Sequence, residues 1–394
     1  MNLAILHADV QRFITDHLQA DTARIRLGKS PFSNINTHEL VQQIESKKRC
    51  EKKLPLWYTT PGIYYPPKLS IEQASSEATA KYKAQLIKGT QVLDLTGGFG
   101  VDSYYFSLIA QKVVHCEIDA QLSAIVQHNH QVLGVKQISY YTGSGLNYLQ
   151  STDKSFDTIY IDPSRRINTR KVFKIADCEP NIMAHFELLS EKSNRILIKT
   201  SPLLDIQSGL MELKNVSEIH VVSVKNDCKE LLWVIDTNFT GNEPLIRCAA
   251  INDQEIVKTF DFSLSEERML TNIPLSDPLN FIYEPDVSLL KASCFKLITK
   301  KFLVLKLHQH THLYTSKTLN AHFIGRVFRL NDYWDYKVFI KQKPIKQANI
   351  ISRNFPLSAE ELKKKHQLKD GGDDYLLFTK DCHNKFIVLN CKRI

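Results

Sequence analysis

The chain has 394 residues, 43% of them apolar and 24% charged, and its 51 Lys and Arg outweigh 42 Asp and Glu for a formal charge of +9. Such a composition excludes a disordered or fibrous chain, and no run of about 18 apolar residues offers a membrane span. A chain of this length buries more than one core, so two or three domains are expected.

Asp9 and Arg12 interrupt the first apolar stretch, which therefore does not read as a signal peptide. Leu3, Leu6, Val10, Phe13 and Ile14 then recur at helical spacing, and Thr37 is placed to cap a helix through Val41 and Ile44. A proline-rich connector from Pro55 to Pro67 interleaves Trp57, Tyr58, Tyr64 and Tyr65, and a further helix from Ser76 to Lys88 stops at Gly89. From Gln91 the texture changes to short apolar strands at 92–95, 113–118, 138–141, 156–162 and 195–199, joined by helix-length connections. That alternation predicts a parallel, doubly wound sheet. Strands 218–224 and 231–236 have only a short polar link, which suits an antiparallel hairpin at the sheet edge. The expected fold class is α/β, a seven-stranded Rossmann-like sheet with a helical N-terminal segment and a smaller C-terminal α+β or β-rich domain. In that domain LIRCAAI (245–251), FLVLKLH (302–308), HFIGRVFRL (322–330), YKVFIK (336–341) and FIVLN (386–390) read as strands. SAEELKKKH (358–366) reads as a helix capped by Ser358.

Charge is unevenly spread. Residues 1–90 are net +5, residues 91–240 net −3, residues 241–316 net −1 and residues 317–394 net +8. Basic ends around a neutral middle suit flanking modules that hold a polyanion; solvated helix faces are the alternative. The eight cysteines are scattered singly, without CxxC pairs or zinc-ligand spacing, so buried thiols in a reduced, cytoplasmic protein are expected and no metal site is.

DLTGGFGVD (94–102) follows the first parallel strand and opens a helix. Gly98 and Gly100 there let backbone approach a ligand, and the next strand ends in Glu117, an acceptor for both hydroxyls of a ribose. A glycine cluster alone often only makes a turn; with the acidic residue it points to an adenosine-type cofactor. Gly97, Gly98 and Gly100 lack GxGxxG spacing, and Asp94 inside the motif suits an ammonium group better than a pyrophosphate, so S-adenosylmethionine is favoured over NAD. FDTIYIDPSRR (156–166) closes the fourth strand and puts Asp162 and Pro163 at the carboxyl end of the sheet, where open α/β folds bind ligands. Arg165 and Arg166 are placed to hold a phosphate or a base edge, or else to form a salt-bridged loop.

These motifs resemble the class I S-adenosylmethionine-dependent methyltransferases: DLTGGFG their first motif, Glu117 their second, DPSRR their fourth. More narrowly, SSEATAKYKA (75–84), DPSRR (162–166), IKTSPLLDI (198–206), CKELL (228–232), YEP (283–285) and LKDGGDDYL (368–376) are similar to a bacterial methyltransferase group with a ferredoxin-like segment and a C-terminal THUMP-like domain. The resemblance implies a helical region over 1–69, the methyltransferase domain over 70–240, a ferredoxin-like segment over 241–316 and a basic THUMP-like domain over 317–394. It also implies an RNA substrate, tRNA or rRNA, since THUMP domains bind RNA. Asp94, Gly98 and Gly100 would hold the methionine moiety and Glu117 the ribose. Thr96, Gly97, Asp102, Ile118, Ser144 and Gly145 complete the cofactor candidates. Ser144 departs from the acidic residue many relatives have near the adenine, and Thr96 from their first glycine. Gln73 and Ser75 either close over the cofactor or act as caps.

Asp162, Pro163, Arg165, Arg166 and Lys199 are the catalytic candidates. Ser164 and Arg165 stand where amino-methylating relatives have a second proline and an aromatic, although an arginine plane also stacks on bases. Pyrimidine C5 methylation needs a cysteine nucleophile. KTSP (199–202) has none, and Cys178 is isolated. Nitrogen or ribose 2′-oxygen methylation is therefore favoured, with Asp162 orienting the acceptor and Lys199 assisting. His308, His310 and His312 fall on one face of an expected strand, read as a half-exposed strand rather than a metal site, and residues 326–355 interleave Lys and Arg with aromatics as a phosphate-and-base surface would, or as an ordinary exposed face does. Lys363, Lys364 and Lys365 add charge. The competing readings are a non-catalytic RNA-binding protein on a methyltransferase fold and a methyltransferase of small molecules or proteins.

Overall fold

The computed structural model describes residues 1–165, 174–342 and 345–394. They divide into two compact units, Met1–Ser217 with Leu232–Gly241, and Glu218–Leu231 with Asn242–Ile394.

In the first unit the opening 84 residues form helices. The longest, Thr37–Lys53, buries Leu40, Val41 and Ile44 and is capped by Asn36. Asn36 Oδ1 accepts from Glu39 N at 2.9 Å and Glu39 Oε2 from Asn36 N at 3.1 Å, a reciprocal box that satisfies two orphan donors. Thr37, the expected cap, instead donates to Arg26 O at 3.2 Å. The aromatic connector is core. Trp57 and Tyr65 are buried, and Asn129 exchanges two 2.8 Å bonds with the backbone of Tyr64. Helix Glu77–Ala84, expected to run to Lys88, ends four residues early, where Lys88 exchanges bonds of 3.0 and 2.8 Å with the Thr158 hydroxyl.

Strands β1 (Gln91–Asp94), β2 (Lys112–Glu117), β3 (Ile138–Thr142) and β4 (Thr158–Ile161) follow. Then come the two-residue β5 (Ser164–Arg165) and β6 (Cys178–Glu179), β7 (Arg195–Thr200), β8 (Val216–Val224) and β9 (Asp227–Asp236). β3-β2-β1-β4-β7 run in parallel, with Asp94 opposite both His115 and Tyr160. Their nearly continuous apolar runs suit strands covered on both faces.

The expected seven strands grow to nine. The full order is β11-β10-β8-β9-β7-β4-β1-β2-β3, where β10 (Leu245–Ile251) lies parallel to β8 and β11 (Val257–Phe262) antiparallel to β10. The hairpin is therefore not the sheet edge. β8 is buried at Ile219, Val221 and Val222, and a bare edge of that character would invite foreign strands; LIRCAAI covers it.

The second unit also holds a seven-stranded sheet, β13-β14-β12-β15-β18-β17-β16. Its strands are β12 (Phe281–Pro285), β13 (Leu305–His308), β14 (Thr311–Ser316), β15 (Gly325–Asp335), β16 (Asn349–Ser352), β17 (Asp374–Lys380) and β18 (Phe386–Arg393). Helix Ala359–His366 carries the expected Ser358 cap, boxed with Glu361. Two strand expectations change. YKVFIK lies in a helix, Tyr336–Gln342, because Tyr336 and Phe339 three residues apart both reach the core around Phe378, leaving Val338 and Ile340 exposed. HQHTH spans the turn between β13 and β14, so its histidines share no strand face. His308 bonds Asn384 Oδ1 at 2.8 Å and His312 stacks on Phe295 with centroids 3.9 Å apart. Among the described residues no helix is long and apolar enough to cross a membrane.

Candidate active site

The carboxyl ends of β1, β2, β4 and β7 carry the chemistry-bearing side chains. After β1 the chain turns through Gly97, Gly98 and Gly100 into helix Val101–Ser107. Each glycine answers a different demand. A Cβ at Gly97 would stand 2.0 Å from the His115 ring, and Gly97 N donates to Cys116 O at 2.8 Å, so the loop is pressed onto β2. Gly100 has φ +75°, with Val126 and His130 within 3 Å of a Cβ. Gly98, φ +53°, instead faces open space, its nearest neighbour a backbone oxygen at 4.0 Å. Backbone exposed above a packed floor is what a closely approaching ligand needs.

Glu117 ends β2 half-exposed. Its Oε2 accepts from Gly98 N at 2.9 Å and its Oε1 from Asp119 N at 2.7 Å, so both oxygens are oriented and each keeps lone-pair capacity. Beside it Ile118 is 75% exposed, an apolar surface next to the open loop. Gly145, first residue of the helix Gly145–Ser151, packs so tightly that a Cβ would meet Leu95 O at 2.3 Å. Ser144 precedes that helix without a side-chain capping bond. Open backbone, a diol acceptor and an apolar platform fit an adenosine-bearing cofactor.

Asp94 and Asp102, both cofactor candidates from the sequence, are buried and bonded within the protein. Asp94 is fully buried; its Oδ1 accepts from Thr96 N at 3.1 Å and its Oδ2 from the Ser103 hydroxyl at 2.6 Å. Burial pushes its carboxyl up to about 7 against those two donors, with the Asp102 carboxylate adding to the rise. Ser103 Oγ also lies 3.0 Å from His115 Nδ1. Burial holds the His115 imidazole down to about 3, and among the described residues its Nε2 has no hydrogen-bond partner. Asp102 accepts from Ser75 Oγ at 2.7 Å and from Tyr160 OH at 2.9 Å, and buried Lys83 lies 3.3 Å from its other oxygen. Ser75 thus anchors Asp102; Gln73 is exposed at the end of helix Lys68–Gln73. Ser103, His115 and Lys83 were not singled out from sequence. Their types are unremarkable at those positions until β1 and β2 stand side by side.

At the end of β4, Asp162 N donates to Thr96 Oγ1 at 2.6 Å, so the residue replacing the usual glycine joins the first motif to the fourth. Lys199, on β7, pairs directly with Asp162 Oδ2. Pro163 is buried, whereas the Asp162 side chain is 33% exposed. The two predicted partners therefore meet, one partly open to solvent. Arg166 lies outside the described residues, and of Arg165 only the backbone is described, paired to Cys178 in β5–β6. Cys178 Sγ contacts Lys174 O at 3.5 Å.

Two family models match: a ferredoxin-like domain over residues 281–323 and a THUMP domain-like module over 325–393. A candidate methyltransferase from Porphyromonas gingivalis W83, known from its crystal structure, is 34% identical with a TM-score of 0.88, covering 99% of this chain and 98% of that one. Two Mycobacterium tuberculosis proteins, from strains CDC 1551 and H37Rv, are named uncharacterized S-adenosylmethionine-dependent methyltransferases. Each is 26% identical over 166 residues, 42% of this chain and 44% of its own length. The match thus spans less than half of those curated relatives. With the near-complete likeness to the Porphyromonas structure and the glycine loop set beside Glu117, the chain belongs to the S-adenosylmethionine-dependent methyltransferase family, in the group with ferredoxin-like and THUMP-like domains.

Proposed function

We propose that the protein methylates a nitrogen or a ribose 2′-oxygen of a structured RNA, tRNA or rRNA. The observation that carries the reading is the Asp162–Lys199 pair, half-open at the carboxyl ends of β4 and β7 and tied by Thr96 to the glycine loop. The cofactor supplies an already activated methyl group, so the protein's task is proximity, orientation and removal of one proton. Asp162 accepts a hydrogen bond from the acceptor N–H or O–H and takes its proton as the new bond forms. Lys199 fixes the carboxylate, Glu117 holds the ribose, and the open Gly98 backbone takes the methionine moiety. No cysteine stands in KTSP (199–202) to open a C5 route.

The RNA half of the reading rests on charge and on the THUMP-like match. Residues 317–394 carry net +8, and Arg329, Lys337, Lys341, Lys364, Lys365 and Lys369 are exposed. Not every cation there is available. Arg326 and Arg353 both bind the buried Glu284 carboxylate, and Phe328, Phe339 and Phe355 belong to the core rather than to a stacking face. Exposed Tyr333 remains as a base platform.

Mass spectrometry of tRNA and rRNA nucleosides from a deletion strain tests the proposal. Loss of one N-methylated or 2′-O-methylated nucleoside, restored by the wild-type gene and not by Asp162→Ala, is the expected result. An unchanged nucleoside profile would overturn it in favour of a small-molecule or protein acceptor.

A further inference from the structure

In the second unit, three side chains from opposite ends of its sequence meet at the surface: Asp277, ahead of β12, and the adjacent Cys382 and His383 in the turn between β17 and β18. Asp277 Oδ1 lies 3.5 Å from His383 Nε2 and accepts from Cys382 Sγ at 3.6 Å, and the three ligand atoms all fall within 4.8 Å of one another. We propose that this trio is a binding site for a divalent zinc-class metal ion, completed by water.

The donor set and its spacing carry the inference. Zinc takes sulfur at about 2.3 Å and nitrogen or oxygen at about 2.0–2.1 Å, which at tetrahedral angles sets ligand atoms roughly 3.3–3.6 Å apart. Two of the three separations already have that value. A thiolate and an imidazole select zinc-like ions over magnesium or calcium, which want oxygen alone. Three protein ligands and one water position complete a tetrahedron.

Both supporting backbones are held independently of the trio. Ser276 N donates to Lys306 O at 3.0 Å and Leu279 N to Thr315 Oγ1 at 2.8 Å, fixing the strip that carries Asp277. The buried Asp381 carboxylate accepts from His383 N at 2.9 Å and Lys385 N at 2.8 Å, fixing the turn. His308 is not a ligand, since its Nε2 is engaged by Asn384 and its Nδ1 accepts from His310 N. A bound ion would clip the approach to β12 onto the β17–β18 turn, closing a chain loop of about a hundred residues. The site is independent of the methyl-transfer reading.

The test uses the full chain, reduced and stripped of metal, titrated with cobalt(II) and then zinc. One equivalent of cobalt(II) should raise a thiolate-to-metal charge-transfer band and tetrahedral visible bands, both displaced by zinc. Cys382→Ser should abolish the charge-transfer band, and the near-isosteric Asp277→Asn, like His383→Gln, should weaken binding at least tenfold. Zinc should raise the melting temperature of wild type and not of Cys382→Ser. Absence of the band, its persistence in Cys382→Ser, or unchanged affinity in Asp277→Asn and His383→Gln would overturn the proposal.

Discussion

Asp162, after β4, and Glu117, at the end of β2, are oriented by different neighbours, a lysine in one case and backbone donors in the other. On the proposed function, Glu117, oriented by backbone donors from Gly98 and Asp119, is the acceptor for the ribose diol, and Asp162, oriented by Lys199, is the base on the methyl-acceptor side. Asp162→Ala should therefore lower kcat at least a hundredfold while S-adenosylmethionine affinity, read by calorimetry, stays within several-fold. Glu117→Ala should raise the cofactor Kd at least tenfold. Equal effects from the two would show that the roles are not divided. Asp94 makes a pH prediction. Its carboxyl, raised by burial to about 7, holds a proton in the native state that the unfolded chain releases near pH 4. Native stability gained from that proton is full below about pH 4 and is lost as pH rises toward 7. Asp94→Asn cannot lose it, so denaturant unfolding should show the variant gaining on wild type by roughly 4 kcal/mol between pH 4 and 7.5. A constant difference across that range would mean that Asp94 is ionised throughout.

The glycine loop works as an element because its residues are constrained from different sides. Gly97 is pinned against His115 and Gly100 against the helix Ala120–Val132, while Gly98 remains open. Gly97→Ala should displace the loop or His115, costing about 1–3 kcal/mol in unfolding free energy and weakening cofactor binding together. A variant with native stability and affinity would show that the loop yields freely. The same local logic made this turn readable in the sequence, since a strand, a glycine cluster and a helix start are neighbours along the chain. YKVFIK was not readable, because its alternation fits a strand until Tyr336 and Phe339 find a shared core around Phe378. LIRCAAI was recognised as a strand, but which sheet it joins depended on the free edge of β8.

For the molecule as a whole, the charge of +9 acquires meaning only through its placement. The C-terminal segment holds +8, yet two of its arginines pair with Glu284, so the exposed lysines and Arg329 are among the cations left for a polyanion contact. The logarithm of the affinity for tRNA or rRNA fragments should fall linearly with the logarithm of salt concentration. Lys364→Glu with Lys365→Glu should reduce that slope by about 1–2 and leave cofactor binding unchanged. A slope unaffected by the double variant would place the RNA elsewhere.

By itself the amino-acid sequence determined what is encoded locally: the strand and helix order of the catalytic sheet, the glycine turn, the acidic end of β2, and the Asp162–Pro163 terminus of β4. These follow from spacing, because backbone periodicity and turn chemistry act over a few residues. Tertiary structure alone decided that Asp94 and Asp102 are buried, that Lys199 reaches Asp162, that β10 and β11 extend the sheet, and that Asp277 meets Cys382 and His383. Each depends on burial or on contact between distant segments, and neither quantity exists until the chain has folded.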